Sequence, residues 1–214
     1  VTDGLDLPTA AKVYMACNQE LENAVEYLVE ELDKAGQLDN TLIVITPDHY
    51  PYNYVLGLGG EKNGKLTGLS AIAGKNLTAT DFDKEFNQYK GTLLIWNSKM
   101  EEPVYVDKCV GELDILPTVC NLMGIEFDSR LLMGRDALSD YPGLAVLLDR
   151  SFVTDKIFYN ANTKEVTIRD GVDPSEVTDT YVQNYVNIVK NKFSVSNEVL
   201  YNDYYSYVFK NSGN

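Results

Sequence analysis

The sequence predicts an α/β fold in which mostly parallel strands are covered by helices and followed by a β-hairpin and carboxy-terminal helices. Three features indicate this class: an amphipathic pattern over residues 8–35, a β-branched apolar run at 42–46, and further short apolar runs at 93–96 and 144–148. Short, wholly apolar runs bounded by turn residues are typical of strands that are buried on both faces.

The first helix is predicted from apolar residues that recur every three or four positions, among them Leu21, Val25, Leu28 and Leu32. Gly36 follows the last of them, where a helix commonly ends in a left-handed residue. A short polar turn then leads into the strand at 42–46.

The second half of the sequence predicts several further elements. Residues 104–106 form a short edge strand, and residues 113–122 form a helix that begins near Asp114. Residues 156–159 and 165–168 flank an Asn-rich turn, which indicates a hairpin.

Two stretches are predicted from their turn and cap residues. Asp173 and Pro174 begin a helix, because a cap followed by proline is a strong start signal, and a second helical run follows around residues 199–208. The polar, glycine-rich residues 50–90 form a long loop with one short helix at 80–86. The loop is either a lid beside a site or structural filler.

The sequence's single histidine, His49, follows Asp48 directly after the apolar run at 42–46. In open α/β sheets, ligands bind just beyond the carboxyl ends of the strands. Carboxylate oxygen suits hard cations and imidazole suits transition metals, so this pair favours manganese or zinc over calcium. The alternative is structural: an aspartate that caps the loop beside a histidine bonded to backbone.

Composition excludes some functions. The formal net charge is −14, which argues against nucleic acid as a partner, because phosphate backbones are bound by clustered Lys and Arg. The sequence contains no run of about 20 apolar residues of the kind that spans a bilayer. Cys17, Cys109 and Cys120 are interpreted as buried free thiols, with a bridge between Cys109 and Cys120 as the alternative.

Three segments occur in the order found in one known family. They are residues 31–45 (ELDKAGQLDNTLIVI) with Asp48 and His49 after them, residues 113–125 (LDILPTVCNLMGI), and residues 132–138 (LMGRDAL). Over roughly residues 10–160 the chain resembles the sulfatase-like branch of the alkaline phosphatase superfamily. Within that branch it is most similar to the catalytic domain of lipoteichoic acid synthases and related phosphoglycerol transferases.

The resemblance implies the carboxy-terminal portion of an alkaline phosphatase-like three-layer sandwich, with residues 1–170 in that domain and residues 171–214 as a helical extension packed on it. It implies that Asp48 and His49 are metal ligands for a divalent cation, with Mn²⁺ favoured and Zn²⁺ or Mg²⁺ as alternatives. The family's nucleophile, a Thr or Ser, and a further acidic ligand are expected upstream, so no catalytic residue is assigned in this chain.

Two ligands make an incomplete site, so the chain alone is expected to be inactive and to bind metal weakly or not at all. Glu112 and Asp114 are interpreted as structural, and Arg130 and Arg135 as candidates for anion contacts, with a packing role favoured for Arg135.

The resemblance also implies an activity and a location for the parent protein. We expect a metal-dependent phosphoglycerol transferase or phosphodiesterase that acts on lipid-linked phosphate esters and a wall polymer. It would lie at the extracellular face of the cell membrane, anchored by upstream segments. The alternatives are a noncatalytic interaction or scaffold module that retains the fold, and a sulfatase or phosphoethanolamine transferase.

Overall fold

The computed structural model describes residues 4–49, 60–62, 65–67 and 89–211. The chain divides into two compact units, which we call the first unit (Val1–Pro103) and the second unit (Val104–Asn214). The proposed division into residues 1–170 and 171–214 stays a prediction.

The first unit begins with helix α1, Thr9–Lys34. Gly36 has φ +66 and donates its backbone N–H to the carbonyl of Asp33 at 2.9 Å, while Gln37 donates to Leu32 at 2.9 Å. These two bonds form a Schellman motif, in which the left-handed glycine lets the chain satisfy the last free carbonyls of the helix. The predicted end of the helix at Gly36 is confirmed.

A 3-10 turn at Leu38–Asn40 connects α1 to strand β1, Ile43–Ile45. Strand β4, Leu94–Trp96, pairs with β1 in antiparallel register, so that Ile43 faces Trp96 and Ile45 faces Leu94. The Asn97 side chain donates to the backbone carbonyl of Thr41 at 2.7 Å. This bond ties the end of β4 to the start of β1.

A small hairpin lies within the stretch predicted as a loop. Strand β2, Gly60–Lys62, pairs antiparallel with strand β3, Lys65–Thr67, so the prediction of a long loop over residues 50–90 is wrong at these positions. The short helix predicted at residues 80–86 lies outside the described residues.

The second unit contains helix α2 and a four-stranded sheet. A 3-10 turn at Glu112–Asp114 leads into α2, Ile115–Leu122. The sheet has the order β5-β6-β7-β8 and consists of β5 (Leu144–Val146), β6 (Phe152–Thr154), β7 (Ile157–Tyr159) and β8 (Val166–Ile168). The predicted hairpin at residues 156–168 is confirmed as the pair β7 and β8.

The α/β class is confirmed, but the prediction of mostly parallel strands is wrong for the described strands, because every pairing among them is antiparallel. In the second unit the reason is the length of the connections. Two residues separate β6 from β7, whereas a parallel pair needs a crossover of about a dozen residues or more. Short apolar runs reveal burial, but they carry no information about strand direction.

The predicted edge strand at residues 104–106 is also wrong, since the described backbone there is not paired. Val104 and Tyr105 are 70% and 82% exposed. A β-branched and aromatic composition favours a strand only when a neighbouring strand and a buried face are available.

The core of the second unit forms where helix α3, Asp179–Tyr201, packs on the sheet. Phe152 and Ile157 are fully buried and contact Val189 of α3 in one cluster. The Phe152 ring stacks on Tyr159 at 4.8 Å and on Tyr185 at 6.0 Å. Each fully buried apolar side chain contributes about 1.5–3 kcal/mol to folding, so this cluster is a main source of the unit's stability.

The carboxy-terminal helices differ from the predicted ones in their bounds. Asp173 does cap a helical turn, but the turn is the short 3-10 segment Pro174–Glu176, and α3 begins separately after Thr178. Helix α4, Tyr204–Asn211, follows α3. Asp203, with φ +47, breaks the helix between them. Among the described helices, none combines the length and apolar character that crossing a bilayer requires.

Candidate metal-binding pair after the first strand

Asp48 and His49 lie in a bend, three and four residues after Ile45, the last residue of β1. The distance from the Asp48 Oδ1 atom to the His49 Nε2 atom is 3.3 Å. The side chains are 87% and 46% exposed, respectively, so the carboxylate and the imidazole converge at a surface that solvent and ions can reach.

The donor atoms of this pair fit a shared divalent cation. At metal–ligand bonds of about 2.0–2.2 Å, two adjacent ligands lie about 2.8–3.1 Å apart around an octahedral ion and about 3.3–3.6 Å apart around a tetrahedral ion. The observed separation of 3.3 Å equals the lower end of the tetrahedral interval. The same distance also suits direct attraction between a carboxylate and a protonated imidazole, which is the structural alternative.

The pair supplies two ligands at most. Within residues 4–49 and 89–211, no group of three or more His, Cys, Asp or Glu side chains is arranged to hold a metal ion. Metal sites in proteins generally use about three or four protein ligands. Additional donors would therefore be needed for tight binding.

Gly91 supports the backbone next to this pair. A Cβ atom on Gly91 would lie 2.7 Å from Cγ and 3.4 Å from Cδ of Pro47. The missing side chain thus lets the segment before β4 approach the proline ring that precedes Asp48. Sequence reasoning missed this role, although an isolated glycine beside a strand is a known signal of close backbone approach.

In the second unit, Asp114 stabilises the loop between α2 and the sheet. Its carboxylate is buried and accepts hydrogen bonds from the backbone N–H of Gly111 at 2.9 Å and of Arg135 at 2.7 Å. Asp114 is therefore structural, as the sequence indicated.

The Gly134 backbone lies so close to Leu113 that an added Cβ would sit 1.7 Å from the Leu113 carbonyl oxygen.

Arg130 and Arg135 have different surroundings. The Arg130 guanidinium pairs with Asp128 at 2.6 Å on the surface, and its hydrogen bonds lower the pKa of Asp128 to about 2. The Arg135 guanidinium lies over the Tyr141 ring at 4.9 Å from its centroid. Arg130 is thus already paired within the chain, whereas Arg135 packs against an aromatic ring.

Asp155 is a second structural carboxylate that sequence reasoning missed. It accepts hydrogen bonds from the backbone N–H groups of Cys109 at 2.7 Å and Gly143 at 2.8 Å. These partners lie 46 and 12 residues away in sequence, so no local pattern signals the role.

The cysteines Cys17, Cys109 and Cys120 are all free thiols, but only Cys120 is buried; Cys17 is exposed and Cys109 is half-buried, which corrects the prediction that all three are buried. Burial raises the pKa of the Cys109 thiol, so this side chain favours its protonated, unreactive form.

The sequence profile of the Sulfatase family matches residues 8–125, which is just over half of the chain and includes Asp48 and His49. The chain therefore belongs to the sulfatase family.

Among curated proteins, the chain is 29% identical over 163 residues to a lipoteichoic acid synthase of Staphylococcus saprophyticus, which covers 72% of this chain and 23% of that protein. It is also 29% identical over 126 residues to the steryl-sulfatase of Rattus norvegicus, covering 56% of this chain and 20% of the relative. The chain thus matches about a quarter or less of the length of these two relatives.

The fold is also that of a solved structure, the lipoteichoic acid synthase LtaP from Listeria monocytogenes. The TM-score is 0.65 at 20% sequence identity, and the match covers 94% of this chain and 50% of that one. The predicted alkaline phosphatase-like fold is confirmed by this likeness.

Proposed function

We propose that this chain is part of a metal-dependent enzyme that transfers or hydrolyses phosphate esters, and that its reaction is phosphoglycerol transfer from a lipid to a cell-envelope polymer. The observation that carries the proposal is the convergence of Asp48 Oδ1 and His49 Nε2, 3.3 Å apart, just after β1 in a sulfatase-family chain. The relatives named as lipoteichoic acid synthases support the choice of phosphoglycerol over other esters.

In this proposal the Asp48 carboxylate and the His49 imidazole hold a divalent cation together with ligands from elsewhere in the enzyme. A bound divalent cation lowers the pKa of a hydroxyl nucleophile and neutralises charge on the phosphoryl oxygens. The mixed oxygen and nitrogen donors suit Mn²⁺, with Zn²⁺ and Mg²⁺ as alternatives. The nucleophile and a further acidic ligand would come from other parts of the parent protein.

Because these residues give only two ligands, we propose that the 214-residue chain binds metal weakly and has no turnover alone. The parent enzyme would act at the extracellular face of the cell membrane, where the lipid donor and the wall polymer meet. The match to a steryl-sulfatase favours sulfate-ester hydrolysis as the second candidate reaction.

The test uses the whole product of the encoding gene and measures release of glycerol phosphate from a lipid with that headgroup, with and without Mn²⁺. Asp48→Asn and His49→Gln should each lower the rate by about 100-fold or more, because the metal site is lost. Asp33→Asn, which removes an exposed charge from the end of α1, is the matched control and should leave the rate unchanged.

Three outcomes would contradict the proposal. A whole gene product without metal-dependent turnover would indicate a noncatalytic module. Cleavage of sulfate esters in preference to the phosphoglycerol lipid would favour the sulfatase reaction. Full activity in the Asp48→Asn and His49→Gln variants would show that these residues are not metal ligands.

A further inference from the structure

The second unit contains a cleft lined by three cationic side chains, which we call the cationic cleft. Lys108, Arg135 and Lys192 line this cleft, which is partly open to solvent. Two acidic side chains, Asp114 and Asp136, also line the cleft. The chain as a whole carries a net charge of −14, so a local excess of positive charge is unexpected.

Among the residues that the structure describes, no direct ion pair links any of the three cations to a carboxylate. The Lys108 ammonium donates to the backbone carbonyls of Ser139 and of Tyr141. The Lys192 ammonium donates to the backbone carbonyl of Met133. These carbonyl bonds leave part of the donor capacity of each lysine unused, since an ammonium has three N–H groups.

Arg135 has the largest unused donor capacity. Its guanidinium is held by the Tyr141 ring, and no hydrogen bond from it to another described residue is present. A guanidinium carries five N–H donors in a planar fork that matches the oxygens of phosphate. The Tyr141 ring holds the Arg135 guanidinium at the cleft without occupying the N–H donors of that group.

The two carboxylates in the cleft are already satisfied by other donors. Asp114 accepts from two backbone N–H groups, as described above. Asp136 accepts from the Asn121 side chain at 2.7 Å and from the backbone N–H of Leu138 at 2.9 Å. Their negative charges offset two of the three positive charges that line the cleft, so the lining keeps a net excess of one positive charge.

The cations also repel one another in a partly buried place. Burial is the main cause that lowers the pKa of Lys192; the positive charge of Arg135 lowers it further, and the negative charge of Asp114 raises it by a smaller amount. A bound anion would relieve both effects, because it stabilises the charged form of each group.

The walls of the cleft are held in place by backbone contacts. Gly134 lies against the Leu113 carbonyl, and an added Cβ on Gly143 would sit 2.5 Å from the Cys109 nitrogen. Side chains at either position would push the walls apart. A site whose geometry is fixed before binding loses less entropy when a ligand is bound.

From these contacts we propose that the cationic cleft is a binding site for a phosphate oxyanion. Arg135 is its bidentate hydrogen-bond donor, and Lys108 and Lys192 contribute positive charge. The site shares no residue with the Asp48 and His49 pair and needs no metal. It therefore stands independently of the proposed reaction. Phosphate monoesters and diesters share this chemistry, and the experiment separates them.

The experiment titrates the 214-residue chain with inorganic phosphate, glycerol phosphate and the diester glycerophosphoglycerol, without metal and at constant ionic strength. Binding is followed by the backbone amide resonances of Gly111 and Arg135. The result expected is saturable binding of at least one phosphate ligand, with a Kd on the order of millimolar for a small anion. Acetate at the same ionic strength should bind at least about tenfold more weakly, because it lacks the tetrahedral set of oxygens.

The matched variants are Lys192→Gln and Lys190→Gln, both on α3. Lys192→Gln should weaken phosphate binding by about tenfold or more, since one charge is removed at close range. Lys190 is exposed and does not line the cleft, so Lys190→Gln should leave binding unchanged. Lys192→Arg keeps the charge and should retain most of the binding. The far-ultraviolet circular dichroism spectrum of each variant monitors its fold.

The proposal is overturned if no phosphate ligand saturates, if acetate binds as well as phosphate, or if the two glutamine variants weaken binding equally. If Lys192→Gln fails to fold, Lys108→Gln and Arg135→Lys replace it, and unchanged phosphate binding in both overturns the proposal. The variant His49→Gln should bind phosphate as the unmodified chain does. A failure of the proposed metal site can therefore be distinguished from a failure of the proposed phosphate site.

Discussion

Two carboxylates that accept backbone N–H bonds, the buried Asp114 and the half-buried Asp155, hold the backbone of the second unit together. Asp114 connects Gly111 to Arg135, and Asp155 connects Cys109 to Gly143. Each carboxylate joins backbone segments that are distant in sequence. Losing either would leave N–H groups without acceptors, which costs about 1–3 kcal/mol per group.

The substitution Asp114→Asn tests this structural role of the Asp114 carboxylate. The amide nitrogen of asparagine cannot accept, so one of the two backbone N–H groups loses its partner. The free energy of unfolding should fall by about 1–3 kcal/mol, as measured by urea denaturation. Asp140→Asn, at an exposed neighbouring loop position, is the control and should change stability by less than about 0.5 kcal/mol. Equal stability of the two variants would contradict a structural role for Asp114.

The raised pKa of Tyr185 predicts how the stability of the folded chain changes with pH in the alkaline range. Burial, and then the neighbouring Tyr181, raise the pKa of Tyr185 to about 12 from an ordinary value of 10.0, with smaller contributions from Asp155 and Arg135. Because the pKa is higher in the folded state, this group's contribution to stability is complete below pH 10 and is lost as pH rises towards about 12.

Tyr185→Phe removes the ionisable group, so the pH midpoint of alkaline unfolding should move upward. Circular dichroism against pH measures the midpoint. Tyr201→Phe, on the same helix and 83% exposed, should leave it unchanged. An unshifted midpoint in Tyr185→Phe would contradict the assignment.

At the scale of elements, the position of the Asp48 and His49 pair depends on the approach of two chain segments. Gly91, just before β4, contacts Pro47, just after β1. The antiparallel pairing of these strands brings the two segments together. The position of the loop that carries Asp48 and His49 thus depends on the pairing of β1 with β4 and on the absence of a side chain at Gly91.

Gly91→Ala should therefore disturb the pair. The new methyl group would overlap the Pro47 ring, and such overpacking costs about 1–3 kcal/mol. We expect the imidazole resonances of His49 to shift in the nuclear magnetic resonance spectrum. Lys90→Ala, at the exposed preceding residue, is the control and should not shift them. Unshifted His49 resonances in Gly91→Ala would show that this contact does not position the pair.

Local signals predicted the elements that depend on neighbouring residues. The end of α1 at Gly36, the strand before Asp48 and the β7 and β8 hairpin were all readable from periodicity and turn residues. Strand direction was not, because it depends on which segments meet in space. The roles of Asp155 and Gly91 were missed for the same reason: their partners are distant in sequence.

At the scale of the whole molecule, the chain has two chemical features in separate units. The first unit carries a solvent-facing acid and imidazole, and the second carries the cationic cleft. The family resemblance pointed to Asp48 and His49 from sequence. Arg135 was a candidate for anion contacts, but the cleft itself was not predicted, because Lys108, Arg135 and Lys192 are 27 and 57 residues apart along the chain. Only folding brings such residues to one place.

The most direct test of the central claim is anomalous X-ray diffraction at the manganese absorption edge, on crystals of the whole gene product grown with Mn²⁺. The account predicts one anomalous peak about 2.0–2.2 Å from both a carboxylate oxygen of Asp48 and the Nε2 atom of His49, and its loss in Asp48→Asn. A manganese peak bound by other residues, or none at this pair under saturating Mn²⁺, would contradict it.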